Sequence, residues 1–524
     1  MLHSVIHIVV DDLRPELGAY GVPNRHTPNI DKLAATGTVF DRAYCQQAVC
    51  GPSRSSFLTG RRPDTARVWN FIDSFRTDHP EWTTLPGLFL REGTDSLSLG
   101  AGKVFHPKMP LGYDTNRSWS DWKGNLPFKN ECWNTASSAT SKACTKVGPA
   151  DASCDGGLPC VPCPIDIKAH LPGAHVNVSV ANEWCTIDAA EDTLTVSEAI
   201  TRLKDAHAAN RPFYLAVGLH KPHMPWQFSA EDLAKHDLDA MTLPLHPYPP
   251  LDAPPIALHF TDEKAPHASP YVPISPNKTR AARRAYYAAV TGMDRKLGKL
   301  FDELDALGLT NNTAVVLHGD HGWQLGEHGE WRKFTNWELA ARVPLIVRAP
   351  WIAASVGKRV AGLVELVDLL PSIAELAGVV LPADETFDGV SFVPLLLSGG
   401  GGGSSANANA KAAAFTQYPR KVENMSCAWK KNGVIHDDRA KFTHMGYSVR
   451  TAAWRYTEWP RWNGTTLKPN WTVPLAGVEL YDHRNETVYP TDFDAGENVN
   501  VAAEVGNADV VHALSQLIRA QFPM

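Results

Sequence analysis

Residues 1–398 read as an α/β sandwich around a large, mainly parallel sheet, and two observations predict it. Short apolar runs alternate with turn residues and helical segments, the rhythm of strand–helix–strand units. Acidic residues directly follow two of those runs, at the carboxyl ends of strands where ligands gather in such sheets. The first run, Ser4–Val10, is nearly unbroken in apolar and β-branched residues and ends at Asp11-Asp12. Further parallel strands are expected at Ser96–Leu99, Phe213–Gly218, Thr313–His318 and Leu345–Arg348, with Thr313–His318 running out just before Asp320-His321. Helices are expected at Asn29–Thr36, Leu85–Glu92, Asp192–Ala208, Lys278–Leu307 and Val367–Ala377.

At 524 residues the chain is too long for one ordinary core. Gly399–Ser405 and the Ala/Asn run after it make 399–410 a low-complexity tether or loop. Beyond it, over 411–524, the pattern changes. Tyr447–Arg450, Arg455–Trp459 and Gly477–Tyr481 read as short antiparallel strands, and Val501–Ile518 as a closing helix. A small α+β domain packed on the first is therefore expected, without internal repeats.

Composition is that of a globular protein, 44% hydrophobic and 20% charged, with 39 prolines marking many loops. A formal net charge of −6 argues against general nucleic-acid binding, though a few focused cations can still serve a polyanionic substrate. No run of about 18 apolar residues exists to span a membrane. Met1-Leu2-His3 leads straight into the first strand, with no basic region, apolar stretch and cleavage site before it. Other features indicate the secretory pathway, lysosomal or extracellular, with the signal not visible in this chain. Asn-x-Ser/Thr sequons stand at Asn116, Asn177, Asn277, Asn311, Asn424, Asn463, Asn470 and Asn485. Six cysteines (Cys132, Cys144, Cys154, Cys160, Cys163 and Cys185) crowd a loop-rich insertion at about 130–185. Zinc is an alternative for Cys160 and Cys163, but an even set in a Gly/Pro-rich insertion more often forms disulfides. Setting Cys50 aside leaves eight cysteines, an even number.

The chemistry-bearing residues gather at strand ends. Asp11 and Asp12 cannot both be buried and charged without a cation, and Asp320 follows another strand. Three carboxylates meeting there suit a hard divalent ion, Ca²⁺ ahead of Mg²⁺. Cations surround them in sequence: Arg54 one helical turn after Cys50, Lys103 and His106 after the second strand, His223 after the third, and Lys333 in Glu330–Phe334. Singly, each is more often a surface or satisfied residue; following separate strands at one edge, they form a candidate anion site.

Cys50-Gly-Pro-Ser-Arg-Ser-Ser-Phe-Leu-Thr-Gly60 resembles the sulfatase motif C-x-P-S-R-x-x-x-L-T-G, every fixed position filled. Within that family the chain resembles the iduronate-2-sulfatase group. The stretches Val10–Pro15, Gln46–Cys50, Gly60–Asp64, Gly102–Pro107, Leu215–Gly218, His220–His223, Asp320–Trp323, Leu325–Trp331 and Met445–Thr451 carry the likeness. So do the Lys103-x-x-His106 spacing and His321 at a position where many sulfatases place asparagine. The resemblance implies an alkaline-phosphatase-like fold and a Cys50 oxidised to formylglycine by a formylglycine-generating enzyme, its hydrated aldehyde attacking sulfur. It implies one Ca²⁺ held by Asp11, Asp12, Asp320, His321 and the modified Cys50. Arg54 and Lys103 would steady the hydrated aldehyde, and Lys103 and Lys333 would contact sulfate. His106 would be the base that regenerates the aldehyde, and His223, assisted by Lys333, would protonate the departing sugar oxygen. Trp323, Phe334 and Trp331 are candidates for stacking on a sugar ring, although aromatics near a helix start are more often core. One departure is His318-Gly319, where the family usually shows small hydroxyl residues. The implied activity is removal of 2-O-sulfate from uronic acid residues of a sulfated glycan. Its rivals are another polysaccharide or aryl sulfate, a phosphonate or phosphodiester, and a non-catalytic glycan-binding relative.

Overall fold

The computed structural model describes residues 2–91, 94–120, 184–185, 189–259, 273–398, 410–422, 434–485 and 496–524. The cysteine-rich insertion (Cys185's side chain included), Cys427, residues 399–409, the sequons at Asn177 and Asn424, and the part of the Asn485 sequon after Asn485 itself lie outside the described residues.

Seven strands build the main sheet: β1 (Ser4–Val10), β2 (Thr38–Tyr44), β3 (Leu97–Gly102), β4 (Phe213–Leu219), β5 (Thr313–Gly319), β6 (Arg342–Arg348) and β7 (Lys358–Glu365). Their order is β7-β2-β6-β5-β1-β4-β3. β1 pairs in parallel with β4 and β5, and β4 with β3. The expectation of a parallel strand at Leu345–Arg348 is corrected: β6 runs antiparallel to both β5 and β2. The chain returns from β5 to β6 through residues 320–341, which stay at the same edge of the sheet, and an antiparallel neighbour needs no helical crossover. Sequence reasoning missed β2 and β7, whose apolar pattern is broken by Asp41, Arg42, Lys358 and Arg359. Arg359 donates to Asp41 across these two strands at 2.5 Å.

β1 alternates its side chains between two cores. Ile6, Ile8 and Val10 join helices α1 (Pro28–Ala35), α3 (Ala190–Ala208) and α4 (Pro276–Ala306) through residues such as Ile30, Leu203 and Leu297. Val5 and Val9 join helices α2 (Cys50–Thr59) and α5 (Leu369–Ala377) through Phe57, Leu58, Leu370 and Ile373. The helix expected at Leu85–Glu92 shrinks to Leu85–Leu88, with Gly87, a weak helix former, inside it.

Register decides where the site falls. Val10 lies opposite both Leu219 and Gly319, and Gly102 opposite Gly218. Asp11, His220 and Asp320 therefore leave the sheet level with one another, and Lys103 one residue below.

A second, antiparallel sheet comprises β8 (Ala414–Arg420), β9 (His444–Arg450), β10 (Trp454–Glu458), β11 (Arg461–Asn463), β12 (Lys468–Asn470) and β13 (Val478–Asp482). The closing helix, α6, spans Ala508–Gln521, beginning later than expected, and buries Leu514 and Ile518. This sheet is docked through backbone as well as side chains. Gln417 N donates to Gln46 O at 2.8 Å, Thr416 Oγ1 to Cys45 O at 2.9 Å, and Phe71 N to Ile435 O at 2.8 Å. Among the described residues, no helix is long and apolar enough to cross a membrane. Cys45 is a buried free thiol, so the even set of eight cysteines does not pair throughout.

Candidate active site

Cys50 opens helix α2, and Gly60 ends that helix in the left-handed conformation. All ten residues of the helix are buried, so its first turn delivers Cys50 and Arg54 into the interior at the sheet edge. Cys50 Sγ lies 3.2 Å from Asp11 Oδ1 and 3.3 Å from His321 Nε2. Lys333 Nζ reaches the same sulfur at 3.0 Å, and Lys103 Nζ stands off at 3.9 Å. Burial, with Asp11 beside it, pushes the Cys50 thiol well above its ordinary range. A thiol so held stays protonated and is a poor nucleophile.

The carboxylates are crowded. Burial, reinforced by Asp11, raises Asp320 to about 7, and burial lifts Asp12 to about 6 despite Lys333. Burial would raise Asp11 too, but Lys103, His223, Arg54 and Lys333 hold it well below the usual carboxylate range. Asp12 takes a left-handed φ of 62°. Tyr286 OH donates to its carbonyl at 2.9 Å, which helps hold that conformation. Asp320 Oδ1 accepts from the backbone N–H of Asp12 at 3.1 Å and of His321 at 3.0 Å, while Arg54 Nε donates to Oδ2 at 2.9 Å. Arg54 also donates to the carbonyls of Lys103 and Val104, so it ties the turn after β3 to the turn after β5. That turn after β3 needs Gly102, at φ 74°: a Cβ there would run into the Gly218 carbonyl.

These residues fit a divalent cation. Asp11, Asp12, Cys50 and His321 present ligand atoms within 4.8 Å of one another. Asp12 Oδ2 is buried without a partner, an orphan that a cation would satisfy. His321 Nδ1 lies 2.9 Å from Gly322 O and so carries the proton, which leaves the Nε2 lone pair facing Asp12 and Cys50. Asp320 borders this group with both oxygens already engaged.

The flanking histidines are set differently from one another. His106 directs Nδ1 to Pro107 O at 3.0 Å and stacks on Phe71 at 4.3 Å, its Nε2 a lone pair. His223 directs Nδ1 to Met224 O at 2.6 Å, and its ring lies 4.6 Å from that of His220. Burial lowers both His106 and His223 well below the ordinary imidazole range. His220 was missed as a site residue, although the His-x-x-His spacing with His223 was visible; its Nδ1 sits 3.7 Å from Asp11 Oδ2. Asp192, also missed, orients this turn by accepting from the N–H groups of His220 and Lys221 at 2.7 and 3.0 Å.

Above Cys50 opens a cleft of about 610 Å³. Lys103, His106, His223, Trp323, Lys333 and Phe334 line it, so the structure brings these expected residues to one cavity with Cys50, while Arg54 lies buried beneath it against Asp320. Trp331 does not belong to it and lines a separate depression with Pro244 and Tyr248. Phe71, Ile435 and His436 complete the wall, the last two from beside the second sheet. The expected departure at His318 has a structural account. His318 Nδ1 donates to Gly319 O at 2.8 Å, leaving Nε2 to accept from His7 Nε2 at 2.8 Å, and His7 Nδ1 accepts from Tyr214 OH at 2.7 Å. Every member of this buried chain is satisfied while neutral.

Ammonium groups and a cation-ready carboxylate cluster around one helix N-terminus, at the carboxyl edge of a parallel sheet, suit hydrolysis of an anionic ester. The chain belongs to the sulfatase family, whose model matches residues 3–379, and it is a sulfuric ester hydrolase. It is 32% identical to the iduronate 2-sulfatase of Mus musculus, covering 98% of this chain and 93% of that one. The iduronate 2-sulfatase of Homo sapiens is 34% identical, over 91% of this chain and 88% of that one. The fold matches solved structures of the alkaline-phosphatase-like sulfatase type. A phosphonate monoester hydrolase from Silicibacter pomeroyi superposes with a TM-score of 0.68 at 20% identity, covering 99% and 96% of the two chains. A 2-O GAG sulfatase superposes with a TM-score of 0.62 at 19% identity, covering 99% and 92%.

Proposed function

We propose that this sulfatase removes 2-O-sulfate from iduronate-type uronic acid residues of sulfated glycans. The observation that carries the reading is Cys50 at the floor of a cleft lined by Lys103, Lys333, His106 and His223. Likeness to two iduronate 2-sulfatases over nearly the whole chain supports the uronate. Conversion of Cys50 to formylglycine, by a formylglycine-generating enzyme, would supply a hydrated-aldehyde nucleophile that does not depend on a thiolate. Ca²⁺ held by Asp11, Asp12, Asp320, His321 and residue 50 would polarise a sulfate oxygen.

Around that centre the chain's own groups divide the work. Lys103 and Lys333 bind sulfate and offset charge that builds in the transition state. Arg54, engaged with Asp320 and two carbonyls, holds the turns that aim them. His106, a free base at Nε2, takes a proton at the side chain of residue 50. His223 donates to the leaving sugar oxygen; to do so it must be charged at Nε2, which a bound anionic sulfate favours. General-acid help of this kind contributes roughly 10²–10⁴ in rate.

Residues 1–398 serve as the catalytic domain, with 411–524 as a subdomain that closes the cleft. Asn116, Asn277, Asn311 and Asn463 are exposed and Asn470 half-buried, which supports a glycosylated enzyme of the secretory pathway, lysosomal or extracellular. Mass spectrometry of the natively expressed Cys50 peptide is expected to show the aldehyde, and sulfate release to favour sulfated uronate disaccharides over aryl sulfates and phosphodiesters. An intact thiol refutes the catalytic mechanism; no release from the uronate refutes the specificity.

A further inference from the structure

His106 makes one side-chain hydrogen bond among the described residues, from Nδ1 to the adjacent Pro107 carbonyl. A single bond at one edge leaves the plane of an imidazole able to rock. The plane is set instead by Phe71, whose ring lies flat on it, with centroids 4.3 Å apart and planes 22° from parallel. Phe71 lines the same cleft as Cys50 and His106, and it lies close over the residue that follows Cys50. A Cβ at Gly51 would stand 3.0 Å from Phe71 Cδ1 and 3.0 Å from Met109 Sδ, so glycine at 51 leaves the aromatic ring its place.

Phe71 is tied down from two sides. Asn70 is fully buried, and its Oδ1 accepts from the backbone N–H groups of Ile72 and Asp73 at 3.0 and 2.8 Å, closing an Asx turn around Phe71. The same side chain donates from Nδ2 to Asp437 O at 2.9 Å, and Phe71 N donates to Ile435 O at 2.8 Å. The His436 ring closes edge-on against Phe71 at 5.8 Å, and Arg439 donates to Asp78 at 2.8 Å just beyond the turn. The ties to 435 and 437 end on main-chain carbonyls, so they ask nothing of the side chains there.

We propose that Phe71 is a positioning residue for His106, and that the segment 435–437 holds Phe71 in place for that purpose. The inference rests on the reading of His106 as the base at residue 50. Proton removal needs the Nε2 lone pair aimed at that side chain, and a flat aromatic face confines the ring without competing for the lone pair.

Two measurements on the full chain test this. The first needs neither turnover nor oxidation of Cys50: diethyl pyrocarbonate acylates unprotonated imidazole, and mass spectrometry reads labelling of His106 against His223 on the same protein. The second is steady-state kinetics on a 2-O-sulfated uronate glycoside. His106 acts after the sugar departs, so loss of its aim lowers kcat and KM together and leaves kcat/KM, which closes at that departure, within about twofold. Phe71→Leu is expected to raise the labelling ratio about threefold or more and to lower kcat about tenfold. Phe71→Met is read the same way where Phe71→Leu does not fold. Phe71→Tyr, which keeps the flat face, is expected to restore most of both readouts, and Asn70→Ser to move both in the same direction by a smaller factor. Unchanged labelling and kcat in Phe71→Leu overturn the proposal, and so does a kcat/KM that falls as far as kcat, which marks general damage to the cleft. Readouts that move in Phe71→Leu but not in Asn70→Ser overturn the role of the segment 435–437. An intact kcat in His106→Ala overturns the base reading, and the proposal with it, whereas a loss there with none in Phe71→Leu overturns the proposal alone.

Discussion

The ammonium of Lys333 lies 3.0 Å from the sulfur of Cys50, within a ring of atoms that suits a metal ion. Asp12 Oδ1 at 2.6 Å and His321 Nε2 at 3.2 Å complete its surroundings. Lys333 thus offsets charge where a divalent cation would, and with that ion present its ammonium is available to sulfate. Lys333→Met is expected to lower kcat by about 10²–10³ with Ca²⁺ saturating, since it removes a fixed charge aimed at the reacting group. Steady-state kinetics beside an unchanged circular dichroism spectrum checks this, and a loss below tenfold contradicts it.

Cation binding should register as stability. With Ca²⁺ at about a hundred times its Kd, the folded state gains about 2.7 kcal/mol and the apparent Tm rises. Asp12→Asn, which weakens the ligand set at its orphaned Oδ2, is expected to remove most of that rise. Differential scanning calorimetry with and without chelator measures both, and an equal rise in the variant counts against Asp12 as a ligand.

The contact between the two sheets carries an acid-sensitive ion pair. Burial would raise the Glu365 carboxyl, but Arg62 and Lys411 outweigh it and hold it at about 2, against an ordinary 4.5. Because the folded value is the lower one, this stabilisation is complete above pH 4.5 and drains away as pH falls toward 2. Its size is about 3 kcal/mol. Glu365→Gln should therefore be destabilised at pH 7 and approach wild type near pH 2; urea melts that stay a constant distance apart across that range would rule this out.

Tyr214→Phe removes the hydroxyl that donates to His7 Nδ1 and so cuts the buried Tyr214–His7–His318 chain at its first link. Leaving that nitrogen unsatisfied is expected to cost about 1–3 kcal/mol, seen as a lower urea midpoint at unchanged slope.

Much of this was legible in the residues. The run Ser4–Val10 followed by two aspartates specified both the central strand and the edge where ligands meet, because a buried parallel strand cannot carry charge until it ends. Cys50 and Arg54 were readable as partners from one helical turn of spacing. Strand direction at Arg342–Arg348 was not, since an apolar run looks the same in either sense. β2 and β7 hid because Asp41 and Arg359, paired with each other, look like loop residues when met singly. His220 and Asp192 were passed over because a histidine oriented by a distant carboxylate shows no local sign of it. The Trp323, Trp331 and Phe334 trio looked equivalent along the chain, and only the folded hairpin separates them, setting Trp331 beside Pro244 and Tyr248 and the other two in the cleft.

Ile435 and His436 border the cleft from a part of the chain that lies beyond the region matched by the family model. On the proposed reading, nucleophile, metal donors and proton carriers all come from the edge of the first sheet, while part of the surface that a glycan would meet comes from beside the second. Reactivity and taste are thus written in separable stretches of one polypeptide. Drift near residue 435 can retune which saccharide is accepted while the hydrolytic apparatus stays as it is, and a fragment trimmed to residues 3–379 would keep the reagents but lose part of the mould.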